Sequence, residues 1–234
     1  MSNSAQLDSL NERIIVCRKC PRLVRYREEV ARTKRRAFRN ETYWGRPVPG
    51  FGDAHAQLLI LGLAPAAHGG NRTGRVFTGD RSGDFLFRVL YRAGFANQPV
   101  SKSRDDGLQL KNAYVAAAVR CAPPANKPLP DEIRNCRPYL EEELVILRPR
   151  AVLALGKIAF DGYLALLVEQ GKIRSRSEFP FGHGASYTLP AGLPRLFAAY
   201  HPSQQNTQTG RLTPGMYLSL LRQIRRYLSS GART

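Results

Sequence analysis

The sequence predicts a three-layer α/β domain. Strand-like and helix-like segments alternate along 234 residues. The strand-like runs are short and apolar on both faces, the pattern of strands buried in a parallel sheet. Each ends in loop chemistry rich in Gly, Pro, Asn or His, and the ligands of open α/β sheets sit beyond such strand ends.

The elements follow in chain order. The start, "MSNSAQLDSLNER", is polar. Residues 23–41, "LVRYREEVARTKRRAFRNE", read as a basic helix that holds a preceding cysteine pair and faces solvent or DNA. The first strand is 56–62, "AQLLILG", followed by a glycine-rich loop, "GLAPAAHGGNRTGRVFTGD", at 62–80. A helix at 82–94 opens at Ser82 and closes at Gly94, the residue types that begin and end helices. Residues 113–119 and 151–156 are further strands. Between them a helix at 130–149 begins with acidic residues, and Pro138 should bend or split it. A helix at 156–168, a strand at 195–201 and an amphipathic helix at 213–230 complete the pattern. Three segments should meet at one sheet edge: 62–80, 120–127 and 201–206. The expected organisation is a single domain over 1–234, with residues 1–50 carrying the first cysteine pair and the basic helix.

Charge narrows the class. Lys and Arg number 36 against 18 acidic residues, a net charge of +18, with a pI near 10.4. So strong a cationic excess points to a phosphate-rich partner, with a solvated basic surface as the plain alternative. The apolar runs are far shorter than the ~20 residues of a membrane-spanning helix, so a soluble, intracellular protein without membrane contact is expected.

Cys17 and Cys20 form a C-x-x-C pair; Cys121 and Cys136 lie about a hundred residues on. An intracellular chain argues against disulfides. Four thiols suit a tetrahedral zinc or a [4Fe-4S] cluster. The wide spacing of the second pair departs from a zinc ribbon and leans towards iron–sulfur, with zinc as the alternative and four buried free thiols as the plain one.

The segments "GLAPAAHGGNRTGRVFTGD" and "HPSQQNT", with the four-cysteine layout, resemble the uracil-DNA glycosylase superfamily, and within it the iron–sulfur type b, or family 5, branch. The resemblance runs from Cys17 to the final helix. It implies an α/β/α sandwich with a four-stranded parallel central sheet and a structural four-iron cluster. It implies a monofunctional enzyme that flips damaged bases out of DNA and hydrolyses the N-glycosidic bond. Its bases include uracil and, for this branch, hypoxanthine, xanthine and related modified bases. Double- and single-stranded DNA carrying deaminated bases are the expected partners, a monomer the expected state, and the cytoplasm and nucleoid of a prokaryotic cell the expected place.

The resemblance also distributes roles. Gly62 opens the loop. Ala64 stands where the family's typical members place a water-activating Asp or Asn, and Ala66 where many carry an aromatic that excludes thymine. The loop thus acts through shape and backbone amides, and its pocket is less obstructed. Breaking the glycosidic bond makes an oxocarbenium-like sugar and an anionic base, and both ends need stabilising. His201 matches the histidine that faces the base carbonyl; a strand-end His satisfying backbone groups is the rival reading. Asp80 either orients water at the sugar or caps the helix at 82–94. Asn126 either bonds the flipped base or holds a turn. Phe77 matches the ring on which the base stacks, against core packing. His68, Asn71 and Arg72 either shape the pocket, His68 touching the base, or touch DNA phosphate. Ser203 and Gln204 belong to the segment that enters the minor groove. A DNA-binding protein weak or inactive in catalysis, given Ala64, is the alternative function. A metal-dependent nuclease would need clustered acids, and the strand ends offer only Asp80.

Overall fold

Residue chemistry places one mixed sheet between two helical layers. The computed structural model describes residues 1–190 and 192–230; of the 1–234 span expected for the domain, Ala191 and residues 231–234 lie outside the described residues. Helices α1 (Asn3–Ile15) and α2 (Pro21–Thr33) lead into strands β1 (Phe51–Gly52) and β2 (Leu58–Gly62). Then come α3 (Gly70–Thr73), α4 (Arg81–Ala93), β3 (Ala113–Ala117), α5 (Pro130–Leu147), β4 (Ala151–Leu155) and α6 (Lys157–Glu169). Strands β5 (Ser186–Tyr187) and β6 (Arg195–Ala199) precede α7 (Gln204–Gln208) and α8 (Pro214–Ser230).

The strand order is β1-β3-β2-β4-β6-β5. The inner four, β3, β2, β4 and β6, are parallel and are the four runs expected from sequence. Two antiparallel edge strands of two residues each add to them, β1 on β3 and β5 on β6. Both are too short to leave a periodic signal, and short edge strands are one way a sheet avoids pairing with another chain.

Alternation along the inner strands assigns the two cores. Leu58 and Ile60 face α4 and α8, together with Val115, Leu153 and Phe197. Leu59 and Leu61 face α1, α5 and α6, together with Tyr114, Val152 and Leu196. Every residue of β2, β3 and β4 is buried.

Three elements differ from expectation. The polar start is a helix: Ser2 caps α1, and Leu7, Leu10 and Ile14 bury one stripe of it. A stripe this narrow disappears in the average polarity of the segment. Helix α5 stays continuous through Pro138; Cys136, Tyr139 and Leu140 on either side of the proline are buried and hold both halves in place. The basic helix stops at Thr33, where Lys34 takes a positive φ of 54°, and a short 3-10 turn follows at Arg36–Phe38.

Candidate active site and cysteine centre

The parallel strands end at one edge, and four connections meet there. They enclose a cavity of about 670 Å³ lined by Ala64, Ala66, Phe77, Asp80, Asn126, His201, Ser203 and Gln204. Three of these connections were expected. The fourth is the start of α6 after β4, which brings Gly156 and Lys157 to the wall.

Phe77 and His201 face each other, with ring centroids 5.9 Å apart and planes tilted by 37°. Phe77 adopts φ 52°, a conformation that bulky residues avoid. Gly62 makes room for it: a methyl group there would stand 2.8 Å from the Phe77 ring. The His201 carbonyl accepts from Ser203 N at 2.8 Å and Asn206 Nδ2 at 2.9 Å. Its ring has no hydrogen-bond partner among the described residues. Burial pushes the His201 pKa below the ordinary value, so the ring is neutral at pH 7 and carries one N–H donor.

Asp80 performs the capping duty and also lines the cavity. Its Oδ1 accepts from Gly83 N at 2.9 Å and starts α4; Ser82 is thus inside the helix and not its cap. Its Oδ2 stands against Gly69, where a Cβ would lie 2.1 Å from it. Burial raises the Asp80 pKa, and the backbone N–H groups of Gly83 and Ser82 pull it down.

Asn126 sits on an exposed turn in which Ala125 and Asn126 both have positive φ, 52° and 55°. Asn126 N donates to Pro123 O at 3.1 Å and Lys127 N to Pro124 O at 3.0 Å. Ser203 caps α7 through a hydrogen bond from Asn206 N. Gln204 Oε1, in the amide orientation that matches donor to acceptor, accepts from Arg81 Nε at 3.2 Å and Nη1 at 2.8 Å.

Three expected contacts lie behind the wall. His68 Nδ1 pairs with Tyr43 OH at 3.1 Å and is not on the cavity surface. Asn71 is fully buried, its Nδ2 donating to Arg27 O at 3.2 Å. Arg72 is buried, pairs with Glu41, and donates to His68 O at 2.9 Å and Gly79 O at 2.7 Å. In this conformation neither Asn71 nor Arg72 presents a donor to DNA; both brace the loop, because a short helix turned towards the core hides its polar side chains. Two wall residues carried no signal in the sequence. Arg81 is one. Lys157, paired with Asp161 at 2.5 Å, is the other; a lysine opening a helix looks like ordinary solvent-facing charge.

The cysteines gather beside this wall. Cys20, Cys121 and Cys136 pack with Leu23 and Val119, and Ala64 packs against the same group. Cys17 is half-buried, and none of the four is in a disulfide. Burial pushes the Cys121 thiol up to about 12 and the Cys136 thiol up to about 11. Arg27, 2% exposed, donates Nη1 to Cys121 Sγ at 3.0 Å and Nη2 to Cys17 O at 3.3 Å. Its closest carboxylate, on exposed Glu28, is 3.8 Å away. A buried guanidinium aimed at sulfur fits thiolates, the form in which cysteine binds metal. Arg120 N also donates to Cys136 Sγ at 3.5 Å, whereas the Arg120 side chain is neutralised by Glu143 at 2.5 Å. Among the described residues, no three His, Cys, Asp or Glu side chains converge as a single ion would require.

Residues 49–225 match the family model described as the Uracil DNA glycosylase superfamily. A type-5 uracil-DNA glycosylase of Thermus thermophilus is 54% identical over 214 residues, 91% of this chain and 94% of that protein. One from Mycobacterium tuberculosis is 54% identical over 219 residues, 93% of this chain and 80% of its own. A type-4 uracil-DNA glycosylase of Pyrobaculum aerophilum is 31% identical over 162 residues, 69% of this chain and 66% of that protein.

Proposed function

The chain belongs to the uracil-DNA glycosylase superfamily, and from that premise we propose that it removes uracil and larger deaminated bases, hypoxanthine and xanthine among them, from DNA. The observation that carries this reading is the facing pair Phe77 and His201 in the wall of a cavity that Ala64 and Ala66 leave open. An extruded base stacks on Phe77. The neutral His201 N–H meets the base carbonyl where negative charge grows as the bond breaks, and a fixed donor needs no reorganisation to do so. Asp80 Oδ2, the carboxylate oxygen not engaged by the helix cap, shields the sugar cation or orients water. Asn126 bonds the base edge, and Ser203 and Gln204 enter the groove beside the vacated stack.

The four cysteines hold a [4Fe-4S] cluster in this reading. A four-iron cluster would take one thiolate on each iron, which matches a set of four cysteines with a buried guanidinium directed at one sulfur. Cys17 and Cys20 before α2, Cys121 after β3 and Cys136 in α5 would hold it, and bound there it would tie these segments together. The protein acts as one domain and a monomer, on double- and single-stranded DNA, in the cytoplasm; among the described residues no helix is long and apolar enough to cross a membrane.

The test is a panel of duplexes, each with one lesion, incubated without added metal and developed with and without alkali. Abasic sites at uracil and at hypoxanthine, with strand breaks only after alkali, are expected. Breaks without alkali would indicate a nuclease or lyase. No product on any duplex would leave a DNA-binding protein whose cavity lost its catalyst at Ala64.

A further inference from the structure

With Asn71 and Arg72 turned inward, the DNA strand at the cavity needs another source of positive charge. The basic run noted in the sequence supplies one. After α2 ends, residues 34–39 form a turn in which Arg35, Arg36 and Arg39 are all solvent-accessible. Among the described residues none of these three guanidiniums is in an ion pair. The carboxylate that follows them, Glu41, is taken by Arg72.

The turn is anchored. Lys34 Nζ donates to Arg39 O at 3.3 Å, closing it, and Arg35 N donates to Tyr43 OH at 3.3 Å. The Arg72 guanidinium lies over the Phe38 ring at 3.9 Å. The same guanidinium donates to Gly79 O, one residue from Asp80. One buried arginine therefore fastens the turn to the cavity rim. Arg35 also stands near enough to His68 for its charge to lower the imidazole pKa.

A second exposed arginine pair is placed differently. Arg222 lies at the middle of α8 and Arg226 nearer its end. Arg150, just ahead of β4, donates to Leu228 O at 2.6 Å, so that end of α8 sits at the opposite edge of the sheet from the cavity.

We propose that the turn at residues 34–39 is a phosphate-binding surface that holds the DNA strand flanking the extruded nucleotide, through Arg35, Arg36 and Arg39. The proposal rests on the glycosylase reading for its substrate. Guanidiniums on a fixed turn contact phosphate regardless of sequence, as an enzyme that must scan for rare lesions requires.

The experiment measures anisotropy of labelled undamaged and uracil-containing duplexes across a salt series. It compares the intact chain, the triple variant Arg35→Gln/Arg36→Gln/Arg39→Gln, and the double variant Arg222→Gln/Arg226→Gln. Each lost phosphate contact should remove about 0.9 from the slope of log affinity against log salt. The triple variant should therefore lose roughly two to three units of slope and about tenfold or more in affinity at low salt, on both duplexes. Its single-turnover cleavage at saturating enzyme should be unchanged, and the double variant should bind like the intact chain. Each single variant, less exposed to folding loss, should lose about one unit. Intact slope and affinity in the triple variant, or equal losses in the double variant, would overturn the proposal. Because binding to undamaged DNA is read separately, a protein that cleaves nothing yet loses slope keeps this surface and discards the glycosylase reading. One that cleaves uracil with an unaltered slope does the reverse.

Discussion

The cavity and the cysteine centre share a wall at Ala64, yet they are built on opposite principles. The cavity is made by backbone conformation: Phe77 and Asn126 at positive φ, and Gly62 and Gly69 where a methyl group would collide. Its polar groups are few and incompletely satisfied, with a His201 ring open to a ligand. The cysteine centre is made by burial and charge. Its thiols are enclosed, and a buried Arg27 meets them with little other anion nearby. One region is open to a transient guest; the other is enclosed, and in the proposed reading it holds a resident group. Substitutions should therefore separate, with cavity changes altering rate and centre changes altering stability.

The sharpest break is His201→Ala. Loss of one fixed donor costs about 10²–10³ in rate, or roughly 3–4 kcal/mol. Single-turnover cleavage of uracil DNA should fall by that factor while DNA affinity and melting temperature stay close to the parent. The loss should shrink for bases that are better leaving groups. Near-parental cleavage would remove His201 from the mechanism.

On the other side, Cys136→Ala should abolish bound iron, measured by metal analysis and visible absorbance. Removing a metal ligand belongs to the strongly destabilising class, so stability should fall by roughly 3 kcal/mol or more, equivalent to about 6 °C or more for a chain of this size. A colourless parent protein with one zinc would replace the cluster with the alternative metal. If the variant melts normally but cleaves slowly, the division between the two regions fails.

Asp80 lies between the two behaviours, and a pair of variants resolves it. Asn caps a helix about as well as Asp but carries no charge. Asp80→Asn should slow cleavage similarly on every base, since the sugar is common to all, and leave melting unchanged. Asp80→Ala should add a stability loss of about 1 kcal/mol. Equal rates in the Asp80→Asn variant and the parent enzyme, with only the alanine variant losing stability, would reduce Asp80 to a cap.

The smallest effect is in pH. His68, His183 and His201 all have lowered pKa values, chiefly through burial. A folded pKa below the unfolded one means the folded state resists protonation. Stability is then full above the ordinary histidine pKa of about 6.5 and declines as pH falls through the folded values. Melting temperature should drop between pH 7 and 5, and His201→Gln should flatten part of that drop. An unchanged slope in that variant would show that His201 is not held neutral by its pocket.

Much of this is open to sequence reading. The four inner strands appear within two residues of their ends because continuous apolar runs bounded by Gly and Pro have few other folds. The three segments that carry Ala64, Ala66, Phe77, Asp80, Asn126, His201, Ser203 and Gln204 are legible because they follow strand ends that a parallel sheet aligns; most of the individual residues within them are singled out by the resemblance to the glycosylase superfamily, and all eight line the cavity. Where sequence and structure part, side-chain direction decides. Asn71 and Arg72 are polar loop residues in sequence and interior braces in space. Lys157 looks like solvent-facing charge until the strand end before it is counted among those at the edge.

The sequence by itself determined the layers, the parallel sheet and the grouping of chemistry at one edge. Hydrophobic periodicity and strand-end position are local properties, and alternation along each strand converts them directly into faces. Only the tertiary structure decided which polar groups point into the cavity and which are used up inside the fold. That choice depends on contacts between distant segments, such as Asn71 to the Arg27 carbonyl, Arg72 to Glu41 and Gly79, and Arg27 to Cys121. A buried donor must find an acceptor wherever the fold brings one, and no spacing along the chain records where that is.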